Sequence, residues 1–438
     1  MHKQNREAFI EKMGPGGVAI FASNPPARWN HDTEYIYRPD PNFYYLTGFE
    51  EPESICVIAP EHPKHQYVLF VRPKNKQAEI WNGKRVGVRD ARRHYGADKA
   101  YPIEKFDEKI GEYLQDAERL YYTLGSNEDI DTDILERFRR AVKSKVRGGK
   151  GIDTLVDPSP ILSEMRLIKN ETELERMRLA TEITVAGHVA AMKAVRPGLY
   201  EYQLESLVES TFRMNGAGGA AFPTIVASGG NATTLHYTTN DCEIEDGNLV
   251  LLDAGAEYNR YCGDVTRTFP ANGTFTEAQR EIYQIVLDAH YAIINSIRPG
   301  VSIDEPHQKS LELLTEGMLS LGLLKKKKKK IEKLIEDGAY RKFYMYRIGH
   351  MLGLDVHDVN CVHEPNGDFK TFQPGMVMTI EPGLYVAEGT KDVPPAYLGI
   401  GVRIEDDILI TEDGCEVLTD GVPKEIDAVE ALVQATKW

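Results

Sequence analysis

Apolar residues recur along this chain in two periods, and the change from one to the other organises it. Over roughly the first 160 residues, short apolar runs alternate with turns. Ser54–Ala59 and Gln66–Val71 read as buried strands, while Arg6–Met13 and Ile103–Gln115 carry apolar side chains at helical spacing. The mixture predicts a modest α/β domain spanning 1–160. A proline-rich joint, Asp157-Pro-Ser-Pro160, then interrupts the pattern and marks a boundary, with a second domain over 161–438.

The second domain opens on Asn170-Glu-Thr-Glu173, a capping box in which Asn170 accepts from a first-turn N–H and Glu173 reaches back. The helical run Leu174–Val195 follows and stops at Arg196-Pro197-Gly198, proline lacking a donor and glycine permitting positive φ. The stop recurs where Ile285–Ile297 ends in Arg298-Pro299-Gly300. After each stop comes another helix, then a glycine–strand–acid unit. The two units are Gly247-Asn-Leu-Val-Leu-Leu-Asp253-Ala-Gly255 and Gly375-Met-Val-Met-Thr-Ile-Glu381-Pro-Gly383. A single shared tripeptide would mean little. Three features in the same order predict an internal duplication about a pseudo-twofold axis.

Each strand acid is followed by a second, Asp264 in Cys-Gly-Asp-Val-Thr-Arg-Thr and Glu405 in Gly-Val-Arg-Ile-Glu-Asp-Asp. The pseudo-twofold would bring all four to the centre, where buried carboxylates repel one another unless cations lie between them. Carboxylates with histidine and no cysteine suit Mn²⁺, Zn²⁺, Co²⁺ or Fe²⁺ rather than Ca²⁺ alone. Candidate histidines are His236 in Thr-Thr-Leu-His-Tyr, and His350 and His357 in Ile-Gly-His-Met-Leu-Gly-Leu-Asp-Val-His-Asp. Two ions about 3.5 Å apart would polarise a carbonyl and make a hydroxide available at neutral pH.

Composition narrows the setting. The 438 residues leave ample material for a core, and 42% hydrophobic with 27% charged residues is an ordinary globular balance. A net charge of −15 argues against a nucleic-acid partner. The five cysteines are odd in number, scattered and without a CxxC pair, which fits free thiols in a reducing cytoplasm. No apolar leader core or membrane-length run is present in the sequence. The lysine run Lys325–Lys330 reads as a solvated face.

With their flanks, these residues resemble the Xaa-Pro aminopeptidases (aminopeptidase P) of the pita-bread metallopeptidases. The motifs are Leu-Leu-Asp253-Ala-Gly, Gly-Asp264-Val-Thr-Arg-Thr-Phe, Gly-His350, Gly-Leu-Asp-Val-His357-Asp, Thr-Ile-Glu381-Pro-Gly-Leu-Tyr and Gly-Val-Arg403-Ile-Glu405-Asp. Asn-Pro-Pro, His-Asp-Thr-Glu-Tyr-Ile-Tyr-Arg38 and Asn-Phe-Tyr-Tyr-Leu-Thr-Gly are similar to that family's accessory domain. The resemblance implies an α/β N-terminal domain ahead of an α+β pita-bread catalytic domain. It implies that Asp253 chelates one divalent ion, His350 and Glu381 the other, and that Asp264 and Glu405 bridge them, with Mn²⁺ the leading expectation. A dimetal-bridged hydroxide would attack the amide, with Glu381 accepting the proton. His236 and His357 would bind substrate carbonyls, Arg403 would place charge beside Glu405, and Tyr385 would border the pocket.

The same resemblance implies release of the N-terminal residue from peptides with proline second, a tertiary amide that an ordinary peptidase site fits poorly. It implies a homodimer or homotetramer in which Trp81 of a neighbour closes the cleft. Tyr346 departs from the pattern, since relatives commonly carry a histidine four residues before the ligand histidine; the position is still expected to touch substrate. Two other readings share these motifs: a prolidase confined to Xaa-Pro dipeptides, and a non-catalytic binding protein on the same fold. All five ligand positions are filled, which argues against the latter.

Overall fold

The structure, a computed structural model, describes residues 1–125, 127–146, 151–325 and 330–435, so Lys326–Lys329 of the lysine run lie outside the described residues. The chain divides into two units, Met1–Met165 and Arg166–Trp438.

In the first unit the apolar runs become a six-stranded mixed sheet. Its strands are β1 (Gly17–Ala22), β2 (Ile55–Ile58), β3 (Tyr67–Val71), β4 (Lys99–Pro102), β5 (Arg119–Tyr121) and β6 (Thr154–Val156), in the order β4-β3-β2-β1-β5-β6. Every residue of β2 and β3 is buried, which is why they read as unbroken apolar runs rather than as alternation. Helix α1 (His2–Met13) starts earlier than its apolar spacing suggested. The run from Ile103 begins as one 3₁₀ turn, Ile103–Lys105, before α2 (Phe106–Leu114). Val57, Phe70, Ile110 and Leu120 share the core. The proline joint opens a helix, α3 (Ser159–Leu167), with Pro160 in the first turn, where its missing N–H costs no hydrogen bond.

The second unit begins as the capping box dictates. Asn170 Oδ1 accepts from the N–H groups of Thr172 and Glu173, and Glu173 Oε2 accepts from Asn170 N, at the head of α4 (Glu171–Ala194). Gly198 then turns the chain with φ 86° into α5 (Glu201–Met214). In the second half α6 (Glu277–Ile294) starts well before the apolar run at Ile285, because Thr276 and Gln279 form another capping box. Gly300, with φ 84°, leads to α7 (Glu305–Ser320).

Strands carry the acids. β7 (Ile225–Ser228), β8 (Leu249–Ala254) and β9 (Val265–Pro270) form one antiparallel sheet. In the second half, β10 (Val377–Ile380) pairs with β13 (Asp406–Ile410), which pairs with β14 (Cys415–Val417), while β11 (Gly383–Val386) pairs with β12 (Ile400–Arg403). Asp253 is the last residue but one of β8 and Asp264 precedes β9; Glu381 follows β10 and Glu405 precedes β13. Antiparallel pairing sets Ala254 opposite Val265 and Ile380 opposite Asp406, so each half presents two acids at one end of a strand pair. The halves join where Glu405 N donates to Thr266 O at 3.0 Å. One core, including Val226, Leu252, Phe269, Met378 and Ile408, serves both. Among the described residues no helix is long and apolar enough to cross a membrane. None of the five cysteines forms a disulfide.

Candidate active site

His350 reaches the acids because the segment around it runs beside β10. Thr379 N donates to His350 O at 2.9 Å, Glu381 N donates to Ile348 O at 2.8 Å, and His350 N donates to Thr379 Oγ1 at 3.1 Å. Gly349 permits that approach, since a Cβ there would lie 1.9 Å from Thr379 O. The His350 Nε2 atom lies 3.5 Å from Asp264 Oδ2 and 3.8 Å from Glu381 Oε1. Ligand atoms of Asp264, His350 and Glu405 all fall within 4.8 Å of one another.

Three of these acids resist ionising together. Burial first, then repulsion from neighbouring carboxylates, holds Asp264, Glu381 and Glu405 well above the usual carboxylate range. Asp253 Oδ1 is buried without a hydrogen-bond partner. An orphaned buried oxygen beside three charge-averse carboxylates and a histidine nitrogen is a donor set that fits divalent cations.

Arg403 compensates part of this charge from one side. Its Nη2 pairs with Asp253 Oδ2 at 2.5 Å, its Nη1 donates to Tyr385 Oη at 3.0 Å, and its Nε donates to Thr266 Oγ1 at 2.9 Å. Thr266 Oγ1 in turn donates a hydrogen bond to Glu405 Oε2 at 2.5 Å. Tyr346 Oη lies 2.8 Å from Tyr385 Oη and donates to Glu381 O at 3.0 Å. These fixed partners tie the carboxylates of Asp253 and Glu405 and the backbone of Glu381 together through neutral and cationic donors.

Above this floor lies a cavity of about 550 Å³. Asp253, Asp264, His350, Glu381, Arg403 and Glu405 line it together with His236, His357 and Tyr346. His236 and His357 are exposed at its mouth, whereas Asp253, Asp264 and Glu405 are buried and Glu381 is half-buried. The crowding wall, then the neighbouring His350 and His236, keep the His357 imidazole below its usual range and so neutral at pH 7. The remaining wall is largely apolar: Phe222, Pro223, Ile225, Leu235 and Val356. Tyr385 is buried just beneath it. Trp81 belongs to the other unit and is 82% exposed there.

Sequence reasoning passed over Thr266 and Glu201. Thr266 had a signal, because it sits two residues after Asp264 and strand alternation puts both on one face. Glu201 had none, since an acid opening a helix reads as dipole complement. Yet its carboxylate accepts from Ser228 N, Ser228 Oγ, Asn231 Nδ2, Tyr237 Oη and Cys242 N, at both ends of the loop carrying His236.

Residues 175–412 match the family model described as Metallopeptidase family M24, and residues 2–122 match Aminopeptidase P, N-terminal domain. The chain is 40% identical to the Xaa-Pro aminopeptidase of Escherichia coli over 99% of its own length and 98% of that protein's. Pseudomonas aeruginosa aminopeptidase PepP superposes with a TM-score of 0.95 at 42% identity, covering 100% of this chain and 98% of the other. Escherichia coli aminopeptidase P, solved with substrate and, zinc-substituted, with product, superposes with a TM-score of 0.94 at 40% identity over the same shares.

Proposed function

We propose, because the chain belongs to metallopeptidase family M24, that it is a metal-dependent exopeptidase releasing the N-terminal residue from peptides with proline in second position. The carrying observation is the convergence of Asp253, Asp264, His350, Glu381 and Glu405 on the floor of one cleft. Asp253 would hold one divalent ion and His350 with Glu381 the other, with Asp264 and Glu405 shared between them. When bound, the pair supplies Lewis acidity toward the scissile carbonyl and a hydroxide nucleophile at neutral pH.

The chain's own groups do the rest. Glu381 would accept the nucleophile's proton at its carboxylate and return it to the departing prolyl nitrogen. His236 and His357, at the mouth, each offer a ring N–H to a peptide carbonyl oxygen. Arg403 holds Asp253 in place and restrains Tyr385, and Tyr346, whose hydroxyl is engaged by Glu381 O and Tyr385, lines the cleft. The apolar wall suits a pyrrolidine ring, which carries no N–H to satisfy. Manganese is the proposed ion, the cytoplasm the proposed compartment, and a homodimer or homotetramer the proposed assembly, with Trp81 of a neighbouring subunit covering the cleft. The large exposed face of Trp81 supports that last assignment.

The test compares Xaa-Pro-Xaa with Xaa-Ala-Xaa peptides and with Xaa-Pro dipeptides, before and after chelation and with each metal restored. Cleavage of the proline tripeptide alone, lost on chelation and recovered with Mn²⁺, is expected. Equal rates on proline and alanine peptides would overturn the specificity, and turnover of dipeptides alone would identify a prolidase.

A further inference from the structure

His357 stands on a segment with no helix or strand from Leu352 to Val362. Something other than a backbone ladder must therefore fix it. The residue after it, Asp358, has a side chain 1% exposed, and both of its carboxylate oxygens are engaged by buried cations. Arg166 Nη2 pairs with Asp358 Oδ1 and also with Asp355 Oδ2 at 2.7 Å, while Lys169 Nζ pairs with Asp358 Oδ2 at 3.2 Å. Asp355 and Asp358 flank His357 on either side. Asp358 N donates to Met351 O at 2.9 Å and Gly353 N to Asp355 O at 3.1 Å, closing the segment on itself. The fit is tight, because a Cβ at Gly353 would lie 2.3 Å from Asp358 Oδ2.

We propose that Asp358, clamped by Arg166 and Lys169, is a positioning residue that holds the His357 ring over the cleft. The inference rests on the proposed contact between His357 and substrate. Burying two cations and a carboxylate is costly unless geometry is well matched, and here the match constrains a loop that lies outside any helix or strand. His350 is held separately by Thr379, so loosening Asp358 displaces His357 while leaving the proposed ligands in place. A ring displaced by about 1 Å loses on the order of a hundredfold in rate.

The experiment is a double-mutant cycle on the full metal-saturated chain, using a Xaa-Pro-Xaa peptide. Asp358→Asn should lower kcat/KM at least ~10-fold in the wild-type background and less than ~2-fold in a His357→Ala background. Metal content, measured by elemental analysis, should not change. Lys169→Met, which leaves Arg166 paired with Asp358, should give a smaller loss of the same kind, and Lys169→Arg should restore it. If Asp358→Asn does not fold, the cycle is run with Lys169→Met. Equal losses in both backgrounds, or no loss in the first, overturn the proposal. Full activity of His357→Ala alone would remove the substrate contact itself, and the positioning role with it, a failure distinguishable from the others.

Discussion

Asp264→Asn and Glu405→Gln keep side-chain shape and remove one negative charge from a place where the charged and metal-ligating neighbours are acids, histidines and Arg403. Under the proposed ligation each should leave fewer than about two ions per chain and cut turnover by more than ~100-fold, since even outer partners of metal ligands cost 10–100-fold. Elemental analysis and peptide hydrolysis on correctly folded protein read both, and near-normal values in either variant would defeat the dinuclear assignment. Glu201 makes a subtler case. Its five donors come from both ends of the loop carrying His236, and an amide in its place opposes at least one of them. Glu201→Gln should lower stability by roughly 2 kcal/mol and raise KM, with the KM effect absent in a His236→Ala background. An unchanged KM would mean that the loop is held elsewhere.

At the scale of elements, the glycine after each strand acid has a steric reason. A Cβ at Gly255 would lie 1.7 Å from Gly263 O, and one at Gly383 would lie 2.7 Å from Tyr385 Oη and 2.8 Å from Tyr346 Oη. Gly255→Ala therefore meets rigid backbone and should cost more than ~3 kcal/mol by overpacking. Gly383→Ala meets two tyrosine hydroxyls and, at 2.8 Å, the Val402 carbonyl oxygen, so it should cost less stability than Gly255→Ala and reduce activity by displacing Tyr346. Urea unfolding of the two variants beside peptide hydrolysis separates these outcomes, and equal destabilisation would contradict the steric account. The same glycines explain what was legible in the sequence. Strand ends that present an acid, capping boxes at Asn170 and turns at Gly198 and Gly300 are local rules, so order and convergence could be read directly. The early start of α6 was obscured by polar residues ahead of Ile285, although Thr276 and Gln279 encode it. Pairing of Arg166 with Asp358 was not legible, because nothing in a sequence announces which buried cation meets which distant carboxylate.

Across the whole catalytic unit, buried histidines set how the fold responds to acid. His188 on α4 is fully buried, with Nε2 3.0 Å from Ala254 O, and burial pushes its imidazole down to about 3. His307 on α7 moves the same way, to about 4. In the unfolded chain a histidine titrates near 6.5. Between those values the unfolded state binds a proton that the folded state refuses. Stability is therefore complete above about pH 6.5 and falls as pH drops toward the folded-state value, at about 1.4 kcal/mol per pH unit for His188 alone. The acids of the cleft oppose this trend, because carboxyls held high in the folded state take up protons there first. A bare pH profile would mix the two. Comparing wild type with His188→Gln at one fixed metal concentration cancels the cleft's share, since the cleft is common to both. Glutamine can still donate to Ala254 O but cannot become a cation. The urea midpoint of the wild type should fall more steeply between pH 7 and 5 than that of the variant, while the two profiles run parallel above pH 7. Profiles that stay parallel throughout would show that His188 does not carry the acid sensitivity of this fold.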